Sequence, residues 1–506
     1  MLKREFLGLA AMGATMMAAP AWAQKSQNML RWASIQSITA VDPYYNAHRE
    51  AIILNGQLVW DTLVYRDPES ADYVPLLAKS WQWKDNVTIE FVLRDDVKFH
   101  DGIGLTADDA VYTFNYISNP DNKINVQSNV NWIKSAEKTG PYSFIVHLKA
   151  PFPPALEYFA SLLAILPKDF YGAGGVAGGN GRLVGTGPYR LTAFAPGASI
   201  DVERFDGYFG GGPKGQPAIQ KIRYRTIPDP STQMAELLSG GLDWIWYVPP
   251  DQAVRLKALR RLTVRADETM RISFLSFNMR DMAGNNPVKD IRVRRAIAHA
   301  IDRETIVKHI IGEGSSLVKA PCFRTQFGCS QDVSQIAYDP AAAKRLLAEA
   351  GYAGGLTLDL VAFRSREWTE AVAGFMNAVG IKTNIIFLQY AAMRDRVVNN
   401  TVHLQLGDWG SYSINDASAI LNNYFTLSAD DMARDSQVAD WLNKASGTVD
   451  SAARLANYQQ AVSRISDELY WLPLWVHPVT YAHSADLDFK SFPDENPRFF
   501  LSRWKS

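Results

Sequence analysis

Residues Pro287–Gly312 read PVKDIRVRRAIAHAIDRETIVKHIIG, and two joined helices are written into them. Asp290 can accept hydrogen bonds from the first free amides of a helix whose apolar positions Val293, Ile297, Ala300 and Ile301 recur at helical spacing. Arg292, Arg294, Arg295 and His299 are then expected on the solvated face, with local ion pairs. Asp302 opens a second helix, Ile306, Val307, Ile310 and Ile311 turn inward, and Gly312 ends it.

Outward from this hairpin, the same local rules give strands interleaved with capped helices. TIEFVLR (88–94) alternates as a half-buried strand. In DDVKFHDGIGLTADDAVYTF (95–114), Asp101-Gly102 makes a turn, and Thr106 with Asp109 forms a capping box opening a helix. Strands are expected at Ser199–Arg204 and Ile219–Thr226. A helix capped by Asp229-Pro230 and stopped by Gly240 follows, then a strand at Leu242–Tyr247. Further strands are expected at Arg271–Asn278, Leu356–Phe363 and Thr383–Leu388, with helices at Pro340–Ala350, Glu370–Val379 and Ala452–Tyr470. Alternating strands and helices indicate α/β architecture. The segment WLPLWVHPVTYAH (471–483) reads as Pro-rich. The Gly-rich tract 172–181 reads as an interdomain loop, since it lacks the strand-to-helix setting of a phosphate-binding loop.

The 506 residues exceed one core and suggest two to four domains. Basic and acidic residues balance at 52 each, so no basic stripe draws nucleic acid. Lys3 and Arg4, the apolar run Phe6–Ala19 and the A-x-A string Ala21-Trp22-Ala23 describe a signal peptide cleaved between Ala23 and Gln24, hence export to the periplasm. In an exported protein the two cysteines, Cys322 and Cys329 in PCFRTQFGC, are expected to pair; zinc would need more ligands than two thiols. A search for catalytic motifs finds no HExxH, G-x-S-x-G or Walker loop, so a periplasmic hydrolase is the weaker reading. No metal site or cofactor is expected. Aromatic residues form 11% of the chain, enough to line a cleft once cores are filled.

Several strings resemble the extracellular solute-binding proteins of peptide and nickel ABC importers, family 5. They are P-x-x-D-x-R-V-R-x-A-x-x-x-A-I-D-R-x-x-I-V in the opening hairpin, PLLAKSW (75–81), VKFHDGIGLTADDA (97–110), GTGPYRL (185–191) and SGGLD (239–243). The resemblance implies a two-lobed α/β binding protein of the large three-domain, class II-like (cluster C) type that closes around a hinge. The implied division is a signal peptide at 1–23, domain I at 24–57, 182–275 and 472–506, domain II at 58–181, and domain III at 276–471. The implied partners are permease subunits with cytoplasmic ATPases and a small polar, peptide-like or carboxylate-bearing solute, bound by a monomer. A metal-chelate or nickel ligand, or a sensor-linked receptor role, is the alternative.

The resemblance also locates ligand contacts. An arginine after a third-domain strand meets the ligand carboxylate; Arg364, following LTLDLVAF, holds that position, with Arg366 nearby. The aspartate expected three residues after a tryptophan, to receive a peptide's amino group, is replaced: in GDWGSYSINDASAIL that position is Tyr412, three after Trp409. A tyrosine cannot neutralise a buried ammonium, so Asp408 or Asp416 would have to take over, although Asp416 better matches a helix-capping aspartate. Ser411, Tyr412 and Ser413 offer hydroxyls to a polar ligand. Tyr45, Asn278 and Trp475 complete the expected lining.

Overall fold

The computed structural model describes residues 27–46, 48–172 and 183–505. The signal peptide with its Ala23/Gln24 cleavage point, and nearly all of the Gly-rich tract, lie outside the described residues. A ten-stranded mixed sheet runs through the protein in the order Ile381–Phe387, Leu356–Ala362, Leu404–Trp409, Leu262–Phe277, Trp471–Ser484, Trp244–Trp246, Met29–Ser34, Lys221–Thr226, Ser199–Arg204, Tyr189–Ala195. A separate four-stranded antiparallel sheet, Ala78–Asp85, Thr88–Leu93, Ser143–Leu148 and Ile133–Gly140, packs with the helix Ala107–Ser118.

Apolar burial divides along that long sheet. One core centres on Trp32, Trp60 and Trp244 and takes in the four-stranded sheet through Phe91, Phe114 and Phe144. Another packs Val293, Ile297, Val372 and Met376, from helices, against Leu358, Leu360 and Ile381, from strands. A third gathers Phe274, Cys322, Leu421 and Ile465. The two halves are therefore separately packed lobes carried on one sheet, an α/β arrangement.

What joins them is a pair of long antiparallel strands, Leu262–Phe277 and Trp471–Ser484. Their register runs evenly from Leu262↔Ser484 to Glu268↔Pro478 and then shifts between Glu268 and Phe274. Pro473 and Pro478 have no N–H to give the ladder, so the irregularity falls beside them. There the Met270 amide donates to Pro493 O at 2.7 Å, and Thr269 Oγ1 donates to His477 O at 2.8 Å. The prolines of 471–483 thus sit within a strand and interrupt its pairing without ending it.

The opening hairpin forms as its caps dictate. Asp290 accepts from Arg292 N at 2.8 Å before the helix Ile291–Ala300, and Asp302 accepts from Thr305 N at 3.0 Å before Arg303–Ile306. Val307–Ile311 widens into a π turn, and Gly312 closes it at φ +90°, a conformation glycine adopts without strain. Val293, Ile297 and Ile306 are fully buried, each contributing about 1.5–3 kcal/mol. Arg294 departs from the expected solvated face. It is buried, and its guanidinium donates to the carbonyls of Val288, Lys289 and Glu468 at 2.8, 2.9 and 3.0 Å. Two of those carbonyls belong to the single 3-10 turn Pro287–Lys289 and the third follows the helix Ser451–Asp467, and together they give the cation acceptors in place of water. The capping box is present at Thr106 and Asp109, and Asp229 and Asp339 cap their helices. Cys322 and Cys329 form a disulfide.

Candidate functional site

The edge of the sheet's second lobe brings three charged side chains together. Strand Leu404–Trp409 runs parallel to Leu356–Ala362 on one side and antiparallel to Leu262–Phe277 on the other. Arg364 lies just past the end of the first neighbour, and Arg271 precedes Ile272, which pairs with Trp409. Both guanidiniums therefore converge on Asp408. Arg364 donates through Nε and Nη2 at 3.0 and 2.9 Å, and Arg271 through Nη1 at 2.8 Å. Asp408 is enclosed at 1% side-chain exposure, while Arg271 and Arg364 keep 28% and 46%. Burial alone would raise the Asp408 pKa, but hydrogen bonding from Arg364 and the neighbouring positive charges hold it below the ordinary carboxylate range. Around Asp408 itself two cations meet one anion, and both guanidiniums keep exposed surface; Glu495 also acts on Arg271, which leaves Arg364 as the less compensated of the two.

The surroundings keep the cluster in place. His477 is pushed down to about 3 by burial, and is therefore neutral near pH 7; its Nε2 lies 2.6 Å from Ser273 Oγ. Trp368 meets the His477 ring edge-on at 4.9 Å. Gly410 leaves room for Arg271: a Cβ there would stand 3.1 Å from Arg271 Nη2. Arg364 lies 5.1 Å above the Phe363 ring.

Past Trp409 the chain turns across the gap between lobes. Ser411 and Ser413 adopt left-handed backbone at φ 52° and 65°. Ser413 Oγ donates to Asp494 O at 2.6 Å and accepts from Arg49 Nη1 at 3.2 Å, while Arg66 Nη2 reaches Ser413 O at 3.3 Å. The Asn415 amide donates to Glu157 Oε2 at 2.7 Å, and Glu157 is also held by Tyr73 and Arg66. Behind the turn, the disulfide loop grips its backbone: Phe327 N donates to Asn415 O, Ala417 N to Phe327 O, and Gln326 Nε2 to Ile414 O. Gly328, at φ +83°, is required because a Cβ would fall 2.2 Å from the Tyr458 ring. Asp416 is sealed here, accepting from Arg454 at 2.7 Å, Tyr458 at 3.2 Å and Ser418 N at 3.0 Å.

Of the residues expected from sequence, Arg364 and Asp408 meet directly and Trp409 adjoins them. Ser411 is buried in the turn, and Tyr412 lies in the same one-turn helix, Ser411–Ser413. Ser413 is engaged between the lobes. Arg366 lies apart from Asp408, near Glu370 at 3.7 Å and above the Phe387 ring.

The other three expected residues have internal partners. Tyr45 directs its hydroxyl to Tyr116 Oη at 2.9 Å and Asn122 O at 2.5 Å. Asn278 is wholly buried and occupied by Asn400, Val402 O and Arg280. Trp475 is wholly buried in the second-lobe core, its ring edge-on to Trp368 at 5.9 Å. Asn278 and Trp475 are thus enclosed in the second lobe, while Tyr45 stays partly exposed in the first.

Sequence reading missed Arg271, Arg49, Glu495 and Tyr247. Arg271 could have been suspected as a cation inside the alternating strand RISFLSF. Tyr247 sits at φ 54° before Val248-Pro249 and is 54% exposed. It lies within the electrostatic reach of Glu495, Arg49 and Arg271.

Residues 72–431 match the profile of bacterial extracellular solute-binding proteins, family 5 (Middle). The chain belongs to this family. It is the solute-binding component of an ABC importer, and the family's members are transport proteins, not enzymes. The glutathione-binding protein GsiB of Pectobacterium atrosepticum is 26% identical over 97% of each chain. The dipeptide-binding protein of Escherichia coli is 25% identical over 79% of this chain and 80% of its own. The solved structure of HbpA2 from Haemophilus parasuis superposes with a TM-score of 0.83 at 21% identity, covering 94% of this chain and all of that one. Among the described residues no helix is long and apolar enough to cross a membrane, and no three His, Cys, Asp or Glu side chains gather as metal ligands.

Proposed function

We propose that the captured solute is an anion, bound through a carboxylate at Arg364 and Arg271, and that recognition does not require a free amino group. The observation that carries this is the Arg271–Asp408–Arg364 arrangement, in which one buried carboxylate is shared by two partly exposed guanidiniums. A second carboxylate from the ligand would balance the remaining charge and could accept paired hydrogen bonds. Neither aspartate offers an ammonium a comparable place: Asp408 is taken by two arginines, and Asp416 is enclosed by Arg454 and Tyr458. The metal-chelate alternative lacks a supporting observation.

In this reading the shifted register at Glu268–Phe274 is the hinge, and the domain division is set at 57/58, 181/182, 275/276 and 471/472, with the first and second domains sharing one apolar core. The mature protein is released by its signal peptide into the periplasm as a monomer and delivers its load to permeases driven by cytoplasmic ATPases. Glutathione, a peptide of net negative charge named in one relative, is the first ligand to test. Calorimetric titration with glutathione, with alanyl-alanine and with N-acetyl-alanyl-alanine should show that acetylation does not weaken binding. A tenfold or greater loss on acetylation would mean that an ammonium anchor exists after all.

A further inference from the structure

We infer that the solute carries, besides its anionic group, an uncharged and largely apolar arm that fills a chamber beside the arginine pair; this rests on the anion reading above. The chamber, of about 270 Å³, is walled by Tyr44, Ile52, Ile124, Val126, Val130 and Leu163, and reaches Ser413 of the opposite lobe. Side-chain amides such as Asn55 and Asn129 are set among these apolar walls, so the chamber suits an uncharged occupant that is mostly hydrocarbon and can meet an isolated amide.

Its charge decides what kind of arm fits. The two cations in the lining are already matched: Arg49 by Glu495 at 3.0 Å, and Arg66 by Asp494 at 3.4 Å and Glu157 at 3.3 Å. A charged arm would be desolvated here without a free partner, which is costly; an uncharged one only gains burial. The chamber adjoins the anion site through one tight turn: Gly410 packs against Arg271, and Ser413, whose amide donates to Gly410 O at 2.9 Å, lines the chamber. The division of labour is clear: Arg364 and Arg271 answer the head group, and the chamber answers the arm. Ser413 closes one side, held there by Arg49 and Arg66.

The test is calorimetric titration of the full mature chain with N-acetyl-, N-butanoyl-, N-hexanoyl- and N-octanoylglycine, which present one carboxylate, no ammonium and an arm of increasing length. Affinity should rise about fourfold per added methylene, as burial of CH₂ groups predicts, and level off when the chamber is full. Val126→Trp, at a half-buried loop position with folding checked by thermal unfolding, should abolish this dependence, and Val126→Ala should keep it. A series that binds, weakens with Arg364→Ala, and shows no dependence on arm length would overturn the chamber inference while sparing the anion reading. A series that binds equally well to Arg364→Ala would overturn the anion reading itself, and so would no binding by any member.

Discussion

Asp408 and Asp416 stand eight residues apart at the two ends of one turn, and the contrast between them separates structure from recognition. Asp416 has one arginine, a tyrosine hydroxyl and a backbone amide, and both members of its ion pair are nearly sealed, at 6% and 7% side-chain exposure. Asp408 has two arginines, and both of them keep a path to solvent. A matched, enclosed pair holds the fold; an oversupplied, open one is poised to bind. Chemically similar residues acquire different work from the number and accessibility of their partners.

That contrast can be broken most forcefully on its sealed side. Arg454→Leu should leave the Asp416 carboxylate buried without its cation and cost about 3–5 kcal/mol in denaturant unfolding. A loss under about 1 kcal/mol would show that the pair is no more structural than a surface bridge. Removing the disulfide that grips the same turn, as Cys322→Ser with Cys329→Ser, should cost about 2 kcal/mol, the loop-closure entropy of so short a ring. An unchanged midpoint would mean that the backbone bonds of Phe327 and Gln326 hold the turn alone.

The open side is sharpened by pH. His477, held neutral to about pH 3 in the folded protein, takes up a proton in the unfolded chain below its ordinary pKa of 6.5. Its contribution to stability is therefore lost as pH falls from 6.5 toward 3. Asp42, raised to about 6 by burial that outweighs its backbone hydrogen bonds, acts in the opposite direction between 3.8 and 6. The readout is thus the difference between wild type and His477→Gln: the wild type should lose about 1–2 kcal/mol relative to the variant between pH 7 and pH 5. Parallel curves would contradict the neutral histidine. The smallest effect should come from Gly410→Ala, where the new methyl displaces Arg271 and weakens anion binding several-fold with little change in unfolding temperature. Equal affinity would place Arg271 outside recognition.

Sequence disclosed most where the cause is local. Asp290, Asp302, Asp229 and Asp339 cap the helices that their spacing predicted, because a cap needs only neighbouring amides. Arg294 was misplaced because its acceptors include Glu468, far along the chain. Arg271 stayed hidden for a similar reason: its role depends on Ile272 lying opposite Trp409, a register that no local pattern encodes. Pro473 and Pro478 disguised the second long strand, since the chain tolerates them only where the ladder is already interrupted. Arg364 and Asp408 were legible through family resemblance, but their mutual ion pair was not.

The central claim is that the net positive charge around Asp408 selects the ligand. Native mass spectrometry of the protein as purified, beside Arg364→Ala purified identically, tests it most directly. The account predicts an added mass corresponding to an anionic solute on the wild type, absent from a variant that remains folded. A bound cation, a metal, or the same solute retained undiminished by Arg364→Ala would contradict it.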